Sequence, residues 1–268
     1  MLCDIAKVSR GGYYKWLKSP KRNKDEKDLE LIKMIFEKGR KKLGWRSIQM
    51  RLINDYGTKM NHKKIIRIMK ENNLVTQIRK KNPYRMIMKT DQEHRTAANI
   101  LNRNFKQTIP GKVFCTDITY LYYGMSQKAY LSAVKDIASN EIVGWKLSNN
   151  LSLKFVLDSI SELKSKNNET IIHSDQGVHY THPTYISKVK ELSLRQSMSR
   201  RGNCIDNSPM ESFFGHLKDD VECQRARTFQ ELNVMIDEYL RYYNNERYQW
   251  DLKKMTPAQY RNHLLQLA

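Results

Sequence analysis

The stretch VFCTDITYLYYGMSQKAYLSAVKDIASNEIVGWKLS, residues 113–148, decides the fold. Apolar, β-branched and aromatic residues fill Val113–Tyr122, Ala129–Lys135 and Ile142–Leu147, which predicts three strands. Tyr123-Gly124 and Ala138-Ser139-Asn140 are the turns between them, and links so short require antiparallel neighbours. Downstream come a helical pattern (Leu153–Ser165), a strand (Thr170–His173), a helix (Tyr185–Leu192) and a short strand (Leu194–Ser197). Those strand-helix-strand steps imply parallel pairing through right-handed crossovers. Three antiparallel strands followed by two parallel ones and then helices make a mixed five-stranded α/β sheet.

Such a sheet is of the ribonuclease H kind, and it occupies residues 111–268 together with C-terminal helices. Of these, Phe229 to Tyr243 carries Leu232, Met235, Ile236 and Tyr239 on one face, suited to packing on the sheet or to a dimer contact. An all-α region precedes the sheet. Between residues 25 and 75, Leu29, Ile32, Ile35 and Phe36 form one helical stripe stopped at Gly39. Trp45, Ile48, Leu52 and Ile53 form a second stripe, closed by Gly57. A third starts after the N-cap Asn61 and runs through Ile65, Ile68 and Met69, with Lys63, Lys64, Arg67 and Lys70 turned largely outward. Three short helices with a basic third predict a helix-turn-helix DNA-binding domain that uses those four residues; the alternative is a plain three-helix bundle with solvated lysines. Residues 1–20, with Gly11 to Leu17, read as the latter half of another such unit, whose first helix is expected upstream of Met1. Residues 76–110 form a basic linker, with Lys80-Lys81-Asn82-Pro83 and Ile109-Pro110-Gly111 as breakers around a helical segment at Ala97–Phe105.

Charge locates the partner. The chain of 268 residues carries a net charge of +20, and residues 1–110 hold 28 Lys and Arg against 10 Asp and Glu, whereas residues 111–268 hold 20 against 18. So one-sided a field stabilises nothing within a soluble domain and is suited to a polyanion. No Lys-rich amphipathic helix presents large apolar residues to a membrane, so the polyanion is nucleic acid. Without an apolar run of about 18 residues or a secretory signal, the expected location is cytoplasmic, nucleoid-associated when bound to DNA. Cys3, Cys115, Cys204 and Cys223 form no C-x-x-C pair and read as reduced thiols, not as a disulfide framework or a zinc site.

Three acids stand out. Asp117 lies in mid-strand, where Asp is depleted and a half-buried carboxylate is costly unless a cation meets it; an ion pair or backbone amides would serve equally. Asp175 emerges at the carboxyl end of a parallel strand, where open α/β sheets hold ligands, although an Asx-turn is the plainer reading. Glu211 sits in Ser208-Pro209-Met210-Glu211, which fits a capping box as well as it fits a ligand at a helix start. Asp206, five residues earlier, is its rival. Two Mg²⁺ or Mn²⁺ ions about 3.5–4 Å apart need several oxygen ligands, and these carboxylates would supply them. His173, His179 and His182 fit no zinc-finger spacing, and Ser174 and Ser208 have no paired His and acid.

TDITY, HSDQGVHY and GNCIDNSPMESFF resemble the three catalytic blocks of the DDE transposase and retroviral integrase superfamily. Thirty-five residues separate Asp175 from Glu211, the spacing of the integrase-like branch. Nearly end to end, the chain is similar to second-frame transposases of the insertion-sequence-three group, with YYKWL, LGWRSI, VGW and YNNERYQWDLKKMTPAQY as further blocks; Phe114 and Gln249 depart from the more usual Trp and His. The resemblance implies that Asp117, Asp175 and Glu211 are the catalytic metal ligands and that Lys218 touches DNA near the cut. It also implies two ions, Mg²⁺ or Mn²⁺, per site, the element's terminal inverted repeats and target DNA as partners, at least a homodimer on DNA, and the upstream-frame product as a further partner. A plain nuclease on the same fold and a DNA-binding regulator with an inert core are the rivals. The basic N-terminal half argues against the first, and three retained carboxylates argue against the second.

Overall fold

The computed structural model describes residues 2–18, 25–77, 96–163, 165, 169–200 and 204–267. It divides into two units, Met1–Gln77 and Ile78–Ala268. The expected breaker Lys80-Lys81-Asn82-Pro83 lies outside the described residues.

In the first unit, α1 (Leu2–Ile5) and α2 (Arg10–Lys18) precede three helices, α3 (Glu26–Lys38), α4 (Trp45–Asn54) and α5 (His62–Glu71). The three apolar stripes meet in one core of Ile32, Ile35, Phe36, Ile48, Leu52, Ile65 and Ile68. Gly39 ends α3, and the Asn61 side chain accepts the Lys63 amide at 2.9 Å to cap α5. Gly57, at φ +62°, takes the left-handed conformation after α4 that a side chain would resist.

The second unit holds one sheet of β1 (Val113–Tyr123), β2 (Gln127–Asp136), β3 (Ile142–Ser148), β4 (Ile171–Ser174) and β5 (Arg195–Met198), in the order β3-β2-β1-β4-β5. β1 to β3 are antiparallel, and β4 and β5 run parallel to β1, as the short turns and the crossovers require. The crossover elements are α6 (Leu153–Ile160), α7 (Val178–Thr181) and α8 (Pro183–Glu191). Period-two alternation along β1 divides its residues between two cores. Val113, Cys115 and Leu121 join α9 (Ser208–Asp220) and α10 (Phe229–Asn245), while Phe114 joins α6 and α8. Leu232, Ile236 and Tyr239 of α10 are buried there, so the apolar stripe of Phe229–Tyr243 is used on the sheet. A final helix, α11 (Pro257–Leu267), is tied to the β2–β3 turn by a bidentate Arg261–Glu141 pair at 2.7 and 2.8 Å.

Gly144 explains the VGW block. A Cβ there would run into the Ser159 carbonyl of α6, so glycine lets that helix lie directly on β3. At the outer side of β3, the Asn244 carboxamide both accepts the Ile142 amide and donates to the Ile142 carbonyl, each at 2.9 Å.

The helix expected at Ala97–Phe105 does not form; its residues are irregular, and Asn102 and Arg103 have φ of +43° and +62°. Tertiary contacts override the apolar spacing. Leu101 is buried in the core, the Ile100 and Leu101 amides donate to Ser197 Oγ, and Met198 N–H donates to the Ala98 carbonyl, which lays the segment along β5.

Candidate active site

The β1–β4 register aligns Phe114 with Ile172 and Cys115 with His173, so two residues further along each chain Asp117 comes level with Asp175. β4 has ended by then at Ser174. Both aspartates line a cleft of about 290 Å³ that also takes in Tyr120, Tyr130, His179 and Tyr180. The sheet topology thereby brings together two acids that are far apart in sequence.

Each carboxylate accepts a hydrogen bond from the backbone. Asp117 Oδ1 accepts the Ile118 amide at 2.7 Å, and Asp175 Oδ1 accepts the Gly177 amide at 2.9 Å, the Asx-turn anticipated as the plainer role of Asp175. Burial, the neighbouring Asp175 charge and the more weakly felt Glu211 charge push Asp117 up to about 8, against the pull of the Ile118 amide and Lys218. Burial likewise raises Asp175, partly offset by the Gly177 amide and the nearby His179. Beneath the pair sit Tyr180 and Tyr185, fully buried, edge-to-face at 5.2 Å between ring centroids. Their hydroxyls are pushed upward mainly by burial and further by the Asp charges. Two half-buried acids disfavouring their own ionisation, above a pair of buried tyrosines, form a donor set suited to hard divalent cations.

Glu211 lies on the exposed side of the first turn of α9. The helix begins at Ser208 after an Asn207 N-cap that makes no side-chain cap bond, so the expected capping box with Ser208 as N-cap and Glu211 at its third position does not form. Asn207 instead donates from Nδ2 to the Thr116 carbonyl at 3.2 Å, and Lys135 Nζ donates to the Pro209 carbonyl at 3.4 Å. These two bonds fix the start of α9 against β1 and β2 beside Asp117. Among the described residues no three His, Cys, Asp or Glu side chains converge closely enough to hold one ion. The aspartates are therefore brought together, and Glu211 stands off from them within electrostatic range of Asp117.

Asp206, the rival of Glu211, has a different task. Its side chain is fully buried, with Oδ1 accepting Arg103 Nε at 2.5 Å and Oδ2 accepting Arg200 Nε at 3.0 Å, the Arg200 amide at 3.0 Å and Asn99 Nδ2 at 3.2 Å. The Arg200 guanidinium, with Arg103, holds its carboxyl well below the usual range. Lys218 lies further along α9, with Nζ 4.9 Å from the Tyr120 ring centroid. Of the basic residues on α5, Lys63 and Lys70 are exposed, whereas Lys64 pairs with Asp25 at 2.9 Å and Asp28 at 2.5 Å, and Arg67 pairs with Asp25 at 2.6 Å.

The other candidates have structural roles. His173 is buried, with Nδ1 2.9 Å from Ser197 Oγ, and burial lowers its pKa. His182 Nδ1 accepts the Thr184 amide at the start of α8. Cys115 and Cys223 are buried free thiols, Cys115 pushed up to about 12 by burial and so no thiolate ligand. Sequence reasoning missed Tyr120, Tyr180, Lys135 and Asn207. HSDQGVHY did contain a signal for Tyr180, an aromatic five residues after Asp175, where a helical turn returns it beneath the acid.

Residues 107–204 and 211–265 match family models described as integrase core domain, and residues 23–82 match one described as an HTH-like domain. The chain is 34% identical over 268 residues to the protein assigned as transposase InsK of insertion sequence element IS150 in Escherichia coli, covering 97% of this chain and 92% of that one. It is 25% identical over 274 residues to transposase InsF of insertion sequence IS3A in the same organism, covering 97% and 93%. Among solved structures, the HTLV-2 integrase catalytic core is similar at a TM-score of 0.44 and 13% identity, over 57% of this chain and 97% of that chain.

Proposed function

Since the chain belongs to the insertion-sequence-three group of transposases, within the DDE transposase and retroviral integrase superfamily, we propose that Asp117, Asp175 and Glu211 are the residues with which it cuts and rejoins DNA strands. The observation that carries this assignment is the level pair of half-buried aspartates, Asp117 in β1 and Asp175 just past the end of the parallel strand β4, each accepting a backbone amide. Asp117 and Asp175 supply the oxygens on the sheet side, and Glu211 completes the set from the first turn of α9. Two divalent ions, Mg²⁺ or Mn²⁺, would supply Lewis acidity there, activating first a water and then a freed 3′-hydroxyl for in-line attack on a phosphodiester. Tyr180 and Tyr185 exclude water from beneath the carboxylates. Lys218 stands where the negative charge of a bound strand needs an opposite charge. Strand joining conserves the number of phosphodiester bonds, so the reaction needs no external energy source.

In this reading, residues 25–75 grip the element's terminal inverted repeats and residues 111–268 perform the chemistry, with residues 97–101 of the segment expected as a linker packed along β5 of the same unit. Lys63 and Lys70 meet phosphates directly. Lys64 and Arg67 are held by Asp25 and Asp28 in surface pairs of the kind that contribute little, so phosphate can replace those acids. Bringing two ends together calls for at least a dimer, working on DNA in the cytoplasm.

The test places the gene with its flanking DNA on a plasmid, with the upstream frame supplied, and looks for joined-end circles. Wild type should yield circles and Glu211→Gln none, with both proteins binding the element's ends. Circles from Glu211→Gln would remove Glu211 from the site, and end binding by wild type without circles would favour the inert regulator.

A further inference from the structure

β4 pairs with β1 only as far as Cys115, so beyond Asp117 the strand runs on with β2 as its sole strand neighbour among the described residues. Along that stretch, Leu121 and Tyr123 turn into the core, while Tyr120 and Tyr122 are 45% and 42% exposed. Their rings meet edge-to-face with centroids 5.5 Å apart. Across on β2, Tyr120 faces Tyr130 and Tyr122 faces Lys128. Lys128 Nζ sits 5.8 Å from the Tyr122 centroid, and Lys218 Nζ sits 4.9 Å from that of Tyr120. Tyr120 and Tyr130 also line the cleft that holds Asp117 and Asp175, so the strip is continuous with the site.

Two adjacent exposed tyrosines do nothing for the core beneath them. A cation above each ring marks a face that a flat partner can reach, because an ammonium occupies the place a stacked base would take. Aromatic rings on a sheet flanked by lysines are the chemistry that binds unpaired nucleotides, with rings for the bases and ammonium groups for the phosphates. Inside a paired duplex the base faces are covered by their neighbours, and only the outer face of the terminal pair is open. We propose that Tyr120 and Tyr122, with Lys128 and Lys218, form a platform on which unpaired bases beside the cut phosphate stack while their strand enters the Asp117–Asp175 cleft. On binding, the two ammonium groups leave the rings for phosphates and bases take their place. The proposal rests on the transposase reading and adds the conformation of the DNA end that the site receives.

The experiment uses the whole chain without divalent metal, so that binding is read apart from cleavage. The probes are duplexes ending in the terminal repeat of the element, one fully paired and one mismatched at its last positions, each with 2-aminopurine at the end. Wild type should bind the mismatched end about tenfold more tightly, the worth of about one stacked base, and quench its emission. Tyr122→Ala should lose both the preference and the quenching while binding the paired duplex as wild type does, and Tyr122→Phe should keep both. Lys128→Ala should weaken the mismatched end alone. If wild type binds both duplexes equally without quenching, or Tyr122→Ala matches wild type on both, the platform is refuted and the transposase reading stands. If neither duplex is bound, the end-binding reading fails and the platform with it.

Discussion

Asp206 and the pair Asp117–Asp175 are aspartates of one folded unit, the first fully buried and the other two half-buried, and the chain treats them in opposite ways. Asp206 receives two guanidinium groups, a carboxamide and a backbone amide. Asp117 and Asp175 receive one backbone amide each and face one another's charge. A carboxylate withdrawn from water without a counter-charge is costly, and it either takes up a proton or is met by a cation. The acids of this unit therefore differ in the charges that meet them as well as in their exposure.

The sharpest way to break the contrast is to neutralise each site in turn. Asp117→Asn or Asp175→Asn should lower strand cleavage by at least about a thousandfold, since metal-assisted charge stabilisation is worth several kcal/mol, while circular dichroism reports an intact fold. Asp206→Asn should do the reverse, lowering Tm by roughly 10 °C, as expected when a buried ion pair loses one member, with cleavage surviving at temperatures where the fold persists. An Asp206→Asn protein that is stable but inactive would move that residue into the site.

Metal should separate the two sites next. Saturating Mg²⁺ or Mn²⁺ should raise the Tm of wild type by several degrees, about the effect of a ligand at a hundred times its Kd, and should leave Asp117→Asn almost unmoved. An equal rise in both would place the ion elsewhere.

pH sharpens the comparison with a smaller effect. Asp117 is raised from 3.8 to about 8 in the folded protein, so its contribution to stability is full below about 4 and is lost as pH rises through 8. In chelator, Asp117→Asn should therefore match wild type near pH 4 and melt a few degrees above it near pH 8. Asp206 is lowered, so its contribution is present above 3.8 and is lost only as pH falls through its folded value. The smallest effect belongs to the first unit. Each of Lys63→Ala and Lys70→Ala should weaken binding to any duplex alike and reduce the salt dependence by about one ion.

The strands were legible because alternation and short turns act locally: Gly124 and Asn140, at φ of +52° and +62°, turn where the breakers stand. Asp117 and Asp175 could be singled out as expensive residues in odd places. What could not be read were facts made by distant partners. The structural role of Asp206 depends on Arg103, which lies 103 residues from the acid it pairs with. Ala97–Phe105 has helical apolar spacing, yet its amides and carbonyls are claimed by β5. The start of α9 carries no side-chain cap bond, and Asn207, at the cap position, spends its side chain on the Thr116 carbonyl 91 residues away.

The two borders of the sheet have a consequence for how copies meet. Asn244 answers both the amide and the carbonyl of Ile142 on the β3 side, and residues 97–101 lie along β5 on the other. A bare strand border invites a neighbouring chain to add to it, which leads to filaments and precipitation. Here those backbone positions are already spoken for, so copies of the chain are steered away from polymerising through strands at these points.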